Sequence, residues 1–150
     1  MNNIEEAAER SAILQIFNWT MIAFDNRDFD LFLSHFTDDG IFEVKDVDPD
    51  RNVRRTRDEM LDAFAARMKM PSGDRHLASN LSVVFADQDR ATLNGYVTWI
   101  KPTAEGGFSI SMVSSYDIQL ERGSEGWKFK RYCLLHSGVE GGCSPLAIKG

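Results

Sequence analysis

Arg75-His76-Leu77-Ala78-Ser79-Asn80-Leu81-Ser82-Val83-Val84-Phe85 is the stretch at which this chain changes character. Before Arg75 the apolar residues recur at three- and four-residue steps; from Arg75 onward they alternate, so a helical half precedes an extended half. The turn signals Asp87-Gln88-Asp89, Ala104-Glu105-Gly106-Gly107 and Gly123-Ser124-Glu125-Gly126 cut the extended half into four runs, about 75–86, 90–101, 107–122 and 126–137. Consecutive antiparallel strands of this length curl rather than lie flat.

Upstream, Leu14, Phe17, Met21 and Phe24 mark one stripe of a long first helix, with Asn3 and Glu6 at capping-box spacing. Asn26-Arg27-Asp28 interrupts the stripe, and Asp28 can cap a second helix containing Phe29, Leu31, Phe32, Leu33 and Phe36. After the turn Asp38-Asp39-Gly40, Ile41-Phe42-Glu43-Val44 reads as a short strand, followed by a polar loop. Thr56 and Glu59 cap a third helix with Met60, Leu61, Phe64 and Met68 on its apolar side, ended by Pro71-Ser72-Gly73. The expected class is α+β: a cone-shaped barrel whose three N-terminal helices pack on a strongly curved, mainly antiparallel sheet and leave a pocket inside. Residues 1–137 form this domain, and 138–150 form a Gly-rich tail.

A chain of 150 residues fits one domain, and 43% hydrophobic content is too rich for a disordered one. With 23 acidic against 17 basic residues the formal charge is -6, which disfavours broad attraction to nucleic acid or anionic lipid. No run reaches the roughly 18 apolar residues of a membrane span. The start MNNIEEAAER lacks the regions of a secretory signal, so a cytoplasmic protein is expected. Cys133 and Cys143 form no ligand cluster and read as reduced, and Asp46-x-Asp48-x-Asp50 lacks the glycine and distal glutamate of a calcium loop. Without a phosphate loop, dinucleotide fingerprint or nucleophile elbow, neither metal nor cofactor is expected.

The order helix, helix, short strand, helix and four long strands resembles the nuclear-transport-factor-2-like superfamily, particularly its SnoaL-like branch, over roughly residues 5–137. Phe24-Asp25-Asn26-Arg27-Asp28-Phe29-Asp30-Leu31 and Arg75-His76-Leu77-Ala78-Ser79-Asn80 resemble segments of scytalone dehydratase and its relatives, and Gly126-Trp127-Lys128-Phe129 opens the last strand as it does across the superfamily. In scytalone dehydratase, bile-acid 7α-dehydratase and lindane dehydrochlorinase, the resemblance implies, an aspartate and a histidine at the Asp25 and His76 positions work together. Phe24 stands where scytalone dehydratase has a tyrosine, and Thr20 where bile-acid 7α-dehydratase has one. The superfamily also holds cyclases, isomerases, hydrolases and non-catalytic proteins, so the fold does not fix the reaction.

Asp25 projects to the edge of the first helix's apolar stripe; it either faces inward with a donor or caps the helix end in solvent. His76 shares a strand face with Ala78, Asn80 and Ser82, while Leu77, Leu81, Val83 and Phe85 share the other; it is either a general base oriented by Asp25 or a structural histidine held by a carbonyl. Tyr116, on the apolar face with Ile110, Met112, Ser114, Ile118 and Leu120, is the candidate donor to developing negative charge, or else a core tyrosine; Tyr96 and Asn80 are further candidates. Trp19, Thr20, Phe24, Trp99 and Met112 are the remaining candidate substrate contacts. His35 and His136 read as structural or exposed, and Arg51, Arg54, Arg55 and Arg57 either as a solvated loop or as a cluster that binds an anionic group with the N-terminus of the third helix.

These residues lead to cofactor-independent lyase or isomerase chemistry, dehydratase-like, on a small, largely hydrophobic substrate, cyclic ones included. In that expected chemistry His76 would be the base, Asp25 its orienting partner and Tyr116 the polariser. A homodimer joined through the outward face of the sheet is what the resemblance implies. The competing classes are a non-catalytic binding or assembly domain of the dioxygenase small-subunit kind, and a polyketide cyclase.

Overall fold

The computed structural model describes residues 2–67 and 73–136. The expected tail and most of the expected stop of the third helix lie outside them, as does Cys143.

Helix α1 (Asn3–Asn26) is capped one residue earlier than expected, because Asn2 and Glu5 have the same spacing as Asn3 and Glu6. Asn2 Oδ1 accepts from the backbone N–H groups of Ile4 and Glu5, both at 3.0 Å, and Glu5 accepts from Asn2 N at 2.8 Å. Arg27, left-handed at φ 61°, ends the helix. Asp28 then caps α2 (Phe29–Ser34) through Leu31 N at 3.1 Å. The second helix stops before Phe36, which instead opens strand β1 (Phe36–Lys45). Thr56 and Glu59 cap α3 (Arg57–Arg67) reciprocally, with Glu59 Oε2 accepting from Thr56 N at 2.7 Å.

The four long strands are β3 (Arg75–Phe85), β4 (Arg90–Pro102), β5 (Phe108–Gly123) and β6 (Gly126–His136), each within about two residues of its expected span. Part of the expected polar loop forms a further strand, β2 (Val53–Thr56). The six-stranded sheet has the order β2-β1-β6-β5-β4-β3, antiparallel except where β1 runs parallel to β6. That pairing ties the first strand to the last, and the helices cover the inner face.

Three bulges in the antiparallel pairs decide which side chains of β3, β5 and β6 face inward. On β3, Asn80 and Leu81 together oppose Gly95, with Asn80 at φ 54°. One extra residue reverses the alternation, so His76 and Ala78 share the inner face with Leu81, Val83 and Phe85. The grouping of His76 with Asn80 and Ser82 is corrected accordingly: Asn80 and Leu77 stand exposed on the outside. A Cβ on Gly95 would meet Leu81 Cδ2 at 2.6 Å, which is why the bulge faces a glycine. A second bulge at Ser111 turns Ile110 outward, 68% exposed, away from the Met112 face. A third at Lys130 sets Tyr132, Leu134 and His136 in one inward row.

The helix–sheet core is aromatic. Phe29 stacks on Phe64 at 4.5 Å with planes 14° apart, and Phe32 meets Phe64 edge-on at 5.2 Å, which fastens α2 to α3. Burying each such ring contributes about 1.5–3 kcal/mol. The result holds the end of α1 against the start of β3.

Candidate active site

Asp25 stands in the last turn of α1, where the helix dipole disfavours a carboxylate by about 0.3–1 kcal/mol. Its side chain is only 10% exposed, so it needs strong donors. Strand β3 brings two: the His76 backbone N–H donates to Asp25 Oδ2 at 3.1 Å, and ring Nδ1 lies 2.6 Å from Oδ1. An ionised carboxylate only accepts, so the ring proton sits on Nδ1 and Nε2 remains for a ligand. Trp99, the register partner of His76, stacks on the imidazole at 5.6 Å with 12° between planes, and Phe24 meets it edge-on at 5.3 Å. The ring is thus held on three sides.

His76 opens onto a cavity of about 290 Å³ between the helices and the inner face of the sheet. Met21, Phe24 and Phe32 line it from the helices, and Trp99, Met112 and Leu134 from the sheet. Tyr116 and Tyr132, both buried, line it as well. Burial pushes the Tyr116 phenol well up, against a hydrogen bond with Tyr132 and with the Asp25 charge adding to the rise; burial raises Tyr132 likewise. Both therefore stay O–H donors at neutral pH. Tyr116 Oη donates to Met21 Sδ at 3.2 Å, and a thioether is a weak acceptor that a ligand oxygen can replace.

A second imidazole faces the same space. His136 Nδ1 lies 2.8 Å from Asp46 Oδ2, and Arg51 Nη2 lies 3.4 Å from that oxygen. Arg55, on the inner face of β2 opposite Phe42, also lines the cavity. Among the described residues no group of three or more His, Cys, Asp or Glu side chains is placed to hold a metal ion. No described helix is long and apolar enough to cross a membrane.

The family model described as a SnoaL-like domain matches residues 5–132. The chain belongs to the SnoaL-like family. Solved structures agree on the fold. A Mycobacterium tuberculosis protein of unknown function superposes with a TM-score of 0.78 at 21% identity, covering 93% of this chain and 78% of its own. A Novosphingobium aromaticivorans protein named as a proposed scytalone dehydratase gives 0.71 at 22% identity, covering 86% of this chain and 84% of its own. From the same organism, the β subunit of a proposed aromatic-ring-hydroxylating dioxygenase gives 0.75 at 15% identity, covering 91% of this chain and 94% of its own. No curated protein matches the chain significantly.

Within this SnoaL-like domain the expected site residues divide. Asp25 and His76 meet, and Tyr116, Phe24, Trp99 and Met112 join His76 around one cavity. Trp19, Asn80 and Tyr96 do not reach it: Trp19 is 49% exposed on the outer side of α1, and Tyr96 stands on the outward sheet face. Leu77, Tyr96 and Val113 share that outward face, where the homodimer contact is expected, and all three are exposed. Thr20 is fully buried and serves the fold, donating to Ile16 O at 2.8 Å and accepting from His35 Nδ1 at 2.7 Å. His136 and Asp46 are cavity residues that the sequence did not mark as such, and Arg51 and Arg55, expected in a solvated loop or an anion-binding cluster at the start of the third helix, line the cavity.

His35 titrates below its ordinary value of 6.5, chiefly through burial and secondarily through Lys128. The unfolded chain therefore binds its proton first, and stability present above about pH 6.5 is lost as pH falls through the lowered folded value. Thermal melts from pH 7.5 to 5.5 should show a shallower decline for His35→Gln than for the unaltered protein. Parallel declines would remove His35 from this role.

Proposed function

We propose that the protein is a cofactor-independent lyase or isomerase of the dehydratase kind, acting on a small, largely hydrophobic substrate. The observation that carries this reading is the 2.6 Å contact between Asp25 Oδ1 and His76 Nδ1 at the wall of an apolar cavity. It leaves a basic nitrogen, Nε2, oriented and sheltered from bulk water. The structural likeness to a proposed scytalone dehydratase is in keeping with it.

With a β-hydroxy ketone bound, Nε2 takes the proton from the carbon beside the carbonyl. The C–H electron pair becomes the enolate, whose oxygen accepts a hydrogen bond from Tyr116 Oη. As the carbon–carbon double bond forms, the β-hydroxyl leaves and takes the proton from Nε2, releasing water and restoring the neutral ring. Isomerisation differs in one step, since Nε2 returns the proton to a more distant carbon. Asp25 stabilises the imidazolium in both.

The test is a panel of cyclic β-hydroxy ketones and β,γ-unsaturated ketones, followed by the absorbance of the conjugated enone and by deuterium uptake from heavy water at the α-carbon. At least one member should react, with uptake lost in His76→Gln. No reaction across the panel, together with recovery of the protein in a stable complex with a larger oxygenase subunit, would favour the assembly role for which its likeness to a dioxygenase β subunit speaks.

A further inference from the structure

The cavity has two poles, and the proposed chemistry uses one. At the other, Asp46 just after β1, Arg51 at the end of the short helical turn Pro49–Arg51, Arg55 on β2 and His136 at the end of β6 come together. Phe42, Val44 and Asp46 follow one inward alternation, Val53 and Arg55 another, and the register sets Arg55 beside Phe42 and Phe42 beside Tyr132.

Asp46 is already saturated. Its Oδ1 accepts from Asp48 N at 3.1 Å, and its Oδ2 faces His136 Nδ1 and Arg51. These donors hold its carboxyl below the usual range and keep it ionised. As at His76, the carboxylate fixes the imidazole through Nδ1 and leaves Nε2 for a ligand. Arg55 differs from its neighbours. Arg51 faces Asp46, Arg54 faces Glu43 and Arg57 faces Asp38, whereas Arg55 has no carboxylate within ion-pair distance among the described residues. Glu59 feels the Arg55 charge only through space, so the Arg55 guanidinium at this pole has no paired carboxylate among the described residues. Ser114, opposite His136 in register and 2% exposed, has a hydroxyl with no hydrogen-bond partner among the described residues.

We propose that this pole is an anion subsite: the substrate is an apolar molecule carrying a carboxylate, which Arg55 receives with a charge-assisted hydrogen bond. The inference rests on reading the cavity as a small-molecule site and adds the substrate class. Arg55 and His76 stand on the two edge strands of the sheet, β2 and β3, yet line one cavity of about 290 Å³, which has room for a one- or two-ring molecule. A carboxylate anchored at Arg55 then leaves the rest of such a molecule in the space that His76 lines. Salt weakens the anchor only partly, because the cavity shields it from bulk ions.

The experiment compares 2-naphthoate with neutral 2-naphthamide by calorimetry, in the unaltered protein, Arg55→Gln and His76→Gln, with thermal midpoints checked for each. Naphthoate should bind about tenfold more tightly than naphthamide, as expected for one charge-assisted hydrogen bond. Arg55→Gln should equalise the two without weakening the amide, and His76→Gln should leave the preference in place. Equal affinities in the unaltered protein, failure of both probes to bind, or a preference that survives Arg55→Gln would overturn the proposal. Turnover retained in His76→Gln alongside an intact preference would sink the catalytic reading and leave the subsite standing.

Discussion

His76→Gln is expected to lower turnover on a reactive substrate by about 10²–10⁴-fold, the usual contribution of a positioned general base. Glutamine approximates the imidazole in size and can still donate to Asp25, so the carboxylate keeps a partner, but an amide does not accept a proton at neutral pH. The loss should fall on kcat, with KM moving little, because Trp99, Met112 and Phe24 still wall the cavity. A variant that melts like the unaltered protein and retains its kcat would remove His76 from the chemistry.

Asp25→Asn is expected to be nearly as damaging, and for a different reason. The carboxylate now accepts from both the His76 ring and the His76 backbone through separate oxygens. An amide offers one oxygen for those two donors, and its NH₂ faces whichever remains. If the amide donates to Nδ1, the ring must carry its proton on Nε2, the nitrogen that has to stay bare. The imidazolium formed during turnover also loses its counter-charge. A fall of about 10²–10³ in kcat follows, of the order seen when a transition-state partner is removed, together with about 1 kcal/mol of stability for the weakened buried hydrogen bonds. The signature that separates this positioning role from a structural one is the ring tautomer read beside the kinetics: with the protein still folded, the neutral His76 ring carries its proton on Nε2 and the loss falls on kcat with KM little changed. Unchanged kcat with lowered stability would make Asp25 a structural residue.

The architecture was legible because its signals are local. Alternation from Arg75 onward, three glycine- or aspartate-rich turns, and the caps at Asp28 and Thr56 each follow from the nearest few residues. What escaped were events that add a single residue. Nothing in Ser79-Asn80-Leu81-Ser82 announces a bulge, yet the bulge there reverses which side chains face inward, and with it the place of Asn80 and Leu77. Strand β2 escaped because Val53-Arg54-Arg55-Thr56 is short and half arginine, and only pairing with β1 makes it extended. The place of Arg55 at the cavity wall and the Asp46–His136 contact were hidden for the same reason. Asp46 and His136 are 90 residues apart, and the parallel pairing of β1 with β6 is what joins them. The alternation Tyr132, Leu134, His136 carried the available hint that His136 faces inward.

The proposed function requires that Asp25 hold His76 with its proton on Nδ1 and Nε2 bare toward the cavity. Long-range nitrogen–proton NMR of the histidine side chains measures this directly, since protonated and bare ring nitrogens resonate far apart. The neutral His76 ring should be the Nδ1–H tautomer, and Asp25→Asn should shift it to Nε2–H. A neutral His76 ring protonated on Nε2 in the unaltered protein would contradict it.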